Sequence, residues 1–172
     1  WDNEPPPQKD QHGGMTAFVV YTLLAMGENS RDDRLKQAID WMLKNESNGT
    51  YAISLRCQVW NLMPQSDAVR AALKKDVAKL SFTTGPGRTA GVRGLYSYEF
   101  DNQSNADPSC SQYGALGMWA ATQAGIEVPN TYWAQVDKQW RKLQEPRGGW
   151  SYLGEPGDDG TIRASMTAAG IA

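Results

Sequence analysis

The stretch Gln144-Glu145-Pro146-Arg147-Gly148-Gly149-Trp150 decides the predicted fold, because it closes an amphipathic helix and has two earlier counterparts. The segment 45–51 repeats its amide, glycine and aromatic residue at the same relative positions, and the segment 94–98 matches 148–152 in residue type. Such internal similarity predicts a repeat protein. The repeat motif comprises Asn45, Gly49, Tyr51, Gly94, Tyr96, Gln144, Gly148, Gly149 and Trp150.

The helix-forming segments are of two kinds. Three contain at most one charged residue, so they are predicted to be inner helices that are buried on several sides. These are Met15 to Met26, Ala52 to Met63 and Ser109 to Gln123. Three others place apolar residues at spacings of three and four with charged residues elsewhere, which predicts outer helices. These are Asp32 to Lys44, Asp67 to Leu80 and Asn130 to Leu143.

Capping residues support these helices. Asp32, Ser66 and Asn130 stand where an N-cap is needed. Gly27 and Gly125 follow inner helices and are predicted to end them in a left-handed conformation. No segment shows convincing strand alternation, so the predicted fold class is all-α.

The 172 residues suit a single domain. We divide it into a linker (1–13), repeat 1 (14–51), repeat 2 (52–98, with a loop insertion at 81–93), repeat 3 (99–152) and the start of repeat 4 (153–172). The fourth repeat is predicted because Met166-Thr167-Ala168 repeats Met15-Thr16-Ala17. We therefore expect the working molecule to contain more chain.

The charge, the apolar runs and the cysteine content argue against several classes of partner and structure. The net charge is -2 and the basic residues are dispersed, which disfavours nucleic acid or an anionic membrane as a partner. The longest apolar run is shorter than the about 20 residues of a membrane-spanning helix. Cys57 and Cys110 are too few for a disulfide scaffold, so free buried thiols are favoured over a disulfide bridge. The cysteine content therefore assigns the chain to no particular redox compartment.

An apolar helix, a charged helix and a terminal Gln-x-x-x-Gly-x-Trp together resemble the prenyltransferase and squalene-cyclase (terpenoid cyclase) repeat superfamily. Gln144, Gly148 and Trp150 match its QW motif. The resemblance is greatest to uncharacterised bacterial prenyltransferase/squalene oxidase repeat proteins, whose inner helix is similar to Ser111–Ala121. It implies an incomplete alpha/alpha toroid of helix hairpins, with apolar inner and amphipathic outer helices. In the motif, the amide is expected to satisfy a helix terminus and the aromatic ring to pack between layers.

The chain contains no complete catalytic motif of that superfamily. Asp32-Asp33 and Asp158-Asp159 are not the D-x-D-D of a cyclase, and the first pair is better interpreted as an N-cap. Asp107, Cys110 and His12 are weak candidates for zinc ligands. The family separates its Asp and Cys by one residue, whereas two separate them here. Asp107 before Pro108 is typical of an N-cap, and His12 is expected to be an exposed linker residue. A thioester motif is also missing.

Residues on or beside the inner helices are the candidates for lining a cavity, with core packing as the alternative for each. They are Tyr21, Arg56, Trp60, Asp107, Cys110, Tyr113 and Trp119. Arg56, a lone cation on an uncharged helix, either contacts an anionic ligand or pairs with an acid.

The most favoured function is a noncatalytic module of a larger bacterial protein that binds a hydrophobic ligand or a protein, or acts as a scaffold. An open arc of inner helices would leave apolar surface for a partner: the remaining repeats of a longer chain, a second copy or an isoprenoid ligand. One alternative is part of an isoprenoid transferase or cyclase-like enzyme whose catalytic residues lie elsewhere. A second is a carbohydrate-processing alpha/alpha barrel. No cofactor is predicted.

Overall fold

The computed structural model describes residues 11–85, 93–100, 106–152 and 162–172. Within these ranges the chain is all-α, as predicted. Its helices are α1 (Gly14–Ala25), α2 (Asp33–Lys44), α3 (Thr50–Leu62), α4 (Asp67–Ser81), α5 (Pro108–Gln123), α6 (Asn130–Lys142) and α7 (Ala164–Ile171). A short 3-10 helix, Phe82–Thr84, follows α4, and one isolated antiparallel bridge joins Gly49 to Glu99.

The predicted inner helices pack consecutively against one another. Helix α3 lies between α1 and α5, and α7 packs on the other side of α5. The amphipathic helices α2 and α4 contact α1 and α3 respectively, and they also contact each other. The absence of charged residues from α1 and α5 therefore identified members of one continuous helix layer.

Two of the three predicted outer-helix caps are confirmed. The Asp32 carboxylate accepts a hydrogen bond from the Arg34 N–H at 3.1 Å, and the Ser66 hydroxyl accepts one from the Val69 N–H at 3.3 Å. The prediction for Asn130 is wrong, because the residue lies inside α6 and Pro129 precedes it as N-cap. The fixed backbone of the proline sets the start of this helix without a side-chain cap.

The predicted left-handed glycines are confirmed. Gly27 and Gly125, which follow α1 and α5, have φ angles of 93° and 83°. This conformation lets the chain leave each inner helix through a tight C-terminal turn.

Burial of the inner helices differs from the prediction at α1. Most of α3 is buried, but in α1 only Thr16, Ala17 and Val20 are buried. Met15 and Phe18 are 58% and 51% exposed. Among the described helices only α3 continues the inner layer beside α1, so composition identified the layer but not the number of neighbours.

The predicted loop at 81–93 begins later than expected. Ser81 is the last residue of α4, and the 3-10 helix follows it directly. The hydroxyl of Thr83 is buried and donates to the Leu95 carbonyl, which ties the end of α4 to the next motif. Residues 86–92, the polar run 101–105 and the segment 153–161, with Asp158-Asp159, lie outside the described residues.

The second and third copies of the motif share one backbone arrangement. Gly94 and Gly148 both have positive φ angles, 85° and 91°. Two residues later in each copy, the aromatic carbonyl accepts a hydrogen bond from the residue before the next inner helix: Asp107 to Tyr96 at 2.8 Å and Arg163 to Trp150 at 2.9 Å.

The same aromatic residues hold the next inner helix in two further ways. The Tyr96 N–H donates to the Ser111 hydroxyl at 2.9 Å, and the Trp150 N–H donates to the Thr167 hydroxyl at 3.3 Å. Each ring also covers a glycine. A Cβ on Gly114 would lie 2.4 Å from the Tyr96 ring, and a Cβ on Gly170 would lie 2.5 Å from the Trp150 ring.

The first copy of the motif is built differently. Gly49 has a φ of -80°, and Tyr51 lies within α3 rather than before it. The amide of Asn45 donates to the Trp41 carbonyl at the end of α2, at 2.8 Å, as expected.

In the third copy the indole of Trp150 serves the helix end, donating to the Trp140 carbonyl at 2.8 Å. Gln144 instead donates to Gly148 within the turn, at 3.0 Å. The expected helix-terminus role of the amide is therefore confirmed for Asn45 and wrong for Gln144, because the Trp150 indole donates to the carbonyl at the end of α6 instead.

Candidate functional site

An apolar groove of about 750 Å³ lies between α5, α6 and the end of α7. We call it the α5–α6–α7 groove. Helix α5 contributes Gln112, Ala115, Leu116 and Trp119; α6 contributes Trp133, Val136, Asp137, Trp140 and Arg141; and α7 with the following residue contributes Ala169, Gly170, Ile171 and Ala172. The α5 and α6 residues recur at spacings of three and four, so each helix offers one continuous face.

The floor of the groove is apolar and well supported. Trp140 is only 8% exposed, and its ring packs edge-on against the buried Trp150 ring, with centroids 6.3 Å apart. The same Trp150 ring lies on Gly170 of α7. The repeat motif thus fixes both α6 and α7 around the groove.

One wall of the groove is open to solvent. Trp119 is 55% exposed and Leu116 is 37% exposed, and both lie on the same face of α5. Ile171 at the end of α7 is 76% exposed. An apolar surface shared by several helices is typical of an interaction site, because isolated monomers seldom expose such patches.

The rim of the groove carries one compensated charge pair. The Arg141 Nε lies 2.9 Å from the Asp137 carboxylate. This hydrogen bond lowers the pKa of Asp137, so its carboxylate is ionised at neutral pH. Because both side chains are exposed, the pair gives the rim polarity without placing a net charge in the groove.

Among the predicted cavity residues, the structure places only Trp119 in this groove. Tyr21 and Tyr113 are half-buried and pack against the core, Asp107 and Cys110 lie at the start of α5, and Arg56 and Trp60 are buried. For Arg56 and Trp60 the structure thus shows core packing, the alternative to lining a cavity. The reason is an acidic partner on α4.

That partner is Asp76, which is 2% exposed. Its Oδ2 accepts hydrogen bonds from Arg56 Nε at 2.9 Å and from Trp60 Nε1 at 2.8 Å. Arg56 Nη1 also donates to the carbonyls of Met42 and Asn45, each at 2.9 Å. Burial raises the pKa of Asp76, and the two donors act in the opposite direction. Arg56 therefore pairs with an acid and also satisfies two backbone carbonyls at the end of α2.

The Asp107 side chain caps α5, and the Cys110 side chain is buried in the first turn of the same helix. The Asp107 carboxylate accepts hydrogen bonds from the N–H groups of Ser109 at 2.8 Å and Cys110 at 3.0 Å, which confirms the predicted N-cap. Burial raises the pKa of the Cys110 thiol to about 12, so it is protonated at neutral pH. Both cysteines are buried and free, as favoured from the sequence.

The candidate zinc ligands do not form a cluster. His12 is half-buried and packs edge-on against Trp41, with ring centroids 5.2 Å apart, so its assignment as an exposed linker residue is wrong. The spacing of His12 and Trp41 in the sequence did not indicate this ring contact. Within the described ranges, no three His, Cys, Asp or Glu side chains are arranged to hold a metal ion.

Sequence reasoning missed Leu116 and Trp133 as groove residues. The available signal was the spacing of Gln112, Leu116 and Trp119, which places a polar, an aliphatic and an aromatic residue on one face of an uncharged helix. Trp133 lies in the segment Asn130 to Leu143, which was predicted only as an outer helix whose apolar residues face the core.

No helix in the described part of the chain is long and apolar enough to span a membrane. Comparison with protein-family models, with curated proteins and with solved structures finds no match to this chain.

Proposed function

We propose that this chain is a noncatalytic binding and scaffolding module, arranged as an incomplete alpha/alpha toroid, whose α5–α6–α7 groove receives an apolar helical segment of a protein. The exposure of Trp119 above a floor of buried tryptophan carries this proposal. Helix-binding grooves present an apolar surface to residues that recur every three or four positions. The faces of α5 and α6 have this form.

The openness of the groove favours a helix over a small molecule. Small-molecule sites bury about 70–90% of the ligand surface. Here the α5 wall is exposed, so a compact ligand would be covered on one side only. A helix, in contrast, buries one face and leaves the other in water.

The titratable groups of the site region support a noncatalytic assignment. Asp107 caps α5, Asp76 is paired with Arg56, and Asp137 is paired with Arg141. The raised pKa of Cys110 leaves it a poor nucleophile, because the thiolate is the reactive form. Each of these groups therefore has a structural role, and none is poised in the groove to act as an acid, base or nucleophile.

Binding of the apolar dye anilinonaphthalene sulfonate tests the groove directly. The dye is titrated into the chain at a concentration at which the chain sediments as a monomer. We expect Trp119→Ala to weaken dye binding by about tenfold or more, since truncating a large aromatic contact costs roughly 1.5–3 kcal/mol. Phe18→Ala is the matched control, because Phe18 is similarly exposed but lies on α1.

Equal dye binding by the wild type and Trp119→Ala would contradict the proposed function. Two further titrations separate the alternatives. Displacement of the dye by farnesyl diphosphate would reassign the groove to an isoprenoid-processing protein. Displacement by oligosaccharides would reassign it to a carbohydrate-binding one.

A further inference from the structure

The N-cap residue of α3 is Gly49, which has no side chain to cap the helix. An N-cap side chain ordinarily accepts a hydrogen bond from the second or third N–H of its helix, because these groups have no acceptor within the helix. In α3 the third N–H belongs to Ala52, and it donates to Gln11 Oε1 at 3.2 Å. Gln11 therefore caps α3 from a segment that precedes α1.

The other half of the Gln11 carboxamide is also bonded. Its Nε2 donates to the Tyr98 carbonyl at 2.8 Å. The same carbonyl accepts the first N–H of α3, from Thr50, at 2.8 Å. One backbone donor and one backbone acceptor thus match the oxygen and the NH2 group of the Gln11 side chain.

The position of this carboxamide accounts for the glycine at residue 49. Its φ of -80° is open to any residue, unlike the positive φ of Gly94 and Gly148 in the other copies of the motif. A Cβ on Gly49 would lie 2.3 Å from the Cδ, Nε2 and Oε1 atoms of Gln11. The missing side chain therefore makes the space that the carboxamide fills.

The residues after Gln11 pack on α2. The His12 ring lies edge-on against the Trp41 ring, with centroids 5.2 Å apart, and a Cβ on Gly13 would lie 3.3 Å from the same Trp41 ring. Gly13 has a φ of 85°, a conformation that glycine adopts without steric cost and that sets the turn into α1. We call residues 11–14 the strap.

We propose that the strap is a conformational latch, which opens and closes as the Gln11 carboxamide leaves and enters the space above Gly49. When the latch is closed, Gln11 joins three segments that are far apart in the sequence: the start of α1, the start of α3 and residues 97–100. When it is open, water takes the place of Gln11 at Ala52 and Tyr98. Release of one side chain therefore uncouples the start of α1 from both other segments.

Opening is a local event because the latch is held by contacts near the surface. The hydrogen bond from Gln11 to Tyr98 is exposed, and the bond from Ala52 is only partly buried. The net contribution of such bonds is small, since water replaces them when they break. Segments held in this way open without unfolding the rest of a protein.

Amide hydrogen exchange at Ala52, followed by NMR on the full chain, measures the opening. Gln11→Ala is expected to speed this exchange by about fivefold or more, because the N–H loses its acceptor. Gln11→Met keeps the length of the side chain without its polar atoms, and it is expected to behave like Gln11→Ala. Unchanged exchange at Ala52 in either variant would overturn the inference.

Gln65→Ala is the matched control. The Gln65 side chain donates to the carbonyls of Trp60 at 2.9 Å and Met63 at 3.0 Å, at the opposite end of α3. Its removal is expected to leave exchange at Ala52 unchanged. Faster exchange at Ala52 in this variant would mean that the whole helix has loosened, which would overturn the assignment of the effect to Gln11.

His12 reports on the strap itself, because it is the only histidine in the chain. The neighbouring Trp41 ring is expected to shift the NMR resonance of the imidazole Hε1 proton. In Gln11→Ala this resonance is expected to move toward its position in the urea-unfolded chain. An unmoved resonance would show that Gln11 caps α3 without holding the strap, and would also overturn the proposal.

Gly49→Ala provides the decisive comparison. Its methyl group is expected to displace the flexible end of the Gln11 side chain, so exchange at Ala52 is expected to be at least as fast as in Gln11→Ala. Adding Gln11→Ala to Gly49→Ala is then expected to change nothing further, because the latch is already open. An equal acceleration by Gln11→Ala in both backgrounds would show that the carboxamide does not use the space at Gly49, and would overturn the inference.

Amides of α5, measured in the same spectra, verify that each variant is folded, and their exchange is expected to stay unchanged. If Gly49→Ala also loses protection in α5, the result at Ala52 in Gln11→Ala and Gln11→Met decides the test.

Discussion

Replacing Asp76 with alanine removes the acceptor at the centre of a buried polar cluster. The Asp76 carboxylate binds Arg56 at 2.9 Å and Trp60 at 2.8 Å, and the Arg56 and Asp76 side chains are 5% and 3% exposed. After the substitution the guanidinium keeps its charge but loses its counterion. Its bonds to the Met42 and Asn45 carbonyls compensate this charge only in part.

The expected cost follows from that unpaired charge. Removing one partner of a buried ion pair typically destabilises a protein by about 3–5 kcal/mol. Domains of this size have a free energy of unfolding of about 5–15 kcal/mol, so the variant is expected to lose a large part of its stability. The double variant Arg56→Met, Asp76→Leu removes both charges and is expected to be more stable than Asp76→Ala alone.

Urea unfolding followed by circular dichroism measures this effect. The wild type, Asp76→Ala and the control Asp137→Ala are compared at neutral pH. Asp137 also pairs with an arginine, but that pair is exposed, so its removal is expected to leave the midpoint unchanged within error. A loss of less than about 1 kcal/mol in Asp76→Ala, or a double variant less stable than the single one, would refute the reasoning.

Two further predictions concern the inner helices. Gly114→Ala is expected to lower the free energy of unfolding by about 1–3 kcal/mol, since its Cβ would lie 2.4 Å from the buried Tyr96 ring. Urea unfolding measures this loss, with Gln123→Ala at an exposed position of α5 as the control. An unchanged midpoint in Gly114→Ala would contradict the close contact between the Tyr96 ring and Gly114. Because burial raises the pKa of Cys110 to about 12 and that of Cys57 well above its usual value, iodoacetamide at neutral pH is expected to modify neither thiol until the chain unfolds. Rapid alkylation of either cysteine in the folded chain, measured by mass spectrometry, would contradict the expectation that both thiols are unreactive.

Charge patterning alone predicted the two kinds of helix. Helices α1 and α5 contain no charged residue, while the charged positions of α2 leave Leu35, Ile39 and Met42 on one buried face. What the sequence did not contain was the number of neighbours of each inner helix. An uncharged helix is expected to be buried on several sides, but among the described helices α1 packs on α3 and α2, and its Phe18 is 51% exposed.

The role of Arg56 was only half predictable. The alternatives of an anionic ligand and an acidic partner were both open, because a cation on an apolar helix needs one of them. The sequence held a further signal: Asp76 lies on the buried stripe of α4 with Leu73, Val77 and Leu80. A lone acid on one apolar face and a lone cation on another are natural partners, but their separation in sequence concealed the contact.

The candidate site was predicted through one residue only. Trp119 was chosen because it is aromatic on an inner helix, and it does line the groove. Trp60 met the same criterion and is fully buried. Aromatic content cannot distinguish these cases, since the difference depends on which helix packs beside each ring and where that helix ends.

Hydrogen–deuterium exchange of the wild-type chain, compared with and without saturating anilinonaphthalene sulfonate, tests most directly whether the groove is a binding surface. We expect the dye to slow exchange in the second half of α5, around Leu116 and Trp119, and to leave exchange in α3 unchanged. Slowing confined to other helices, or no change at a dye concentration that saturates the wild type, would contradict the account.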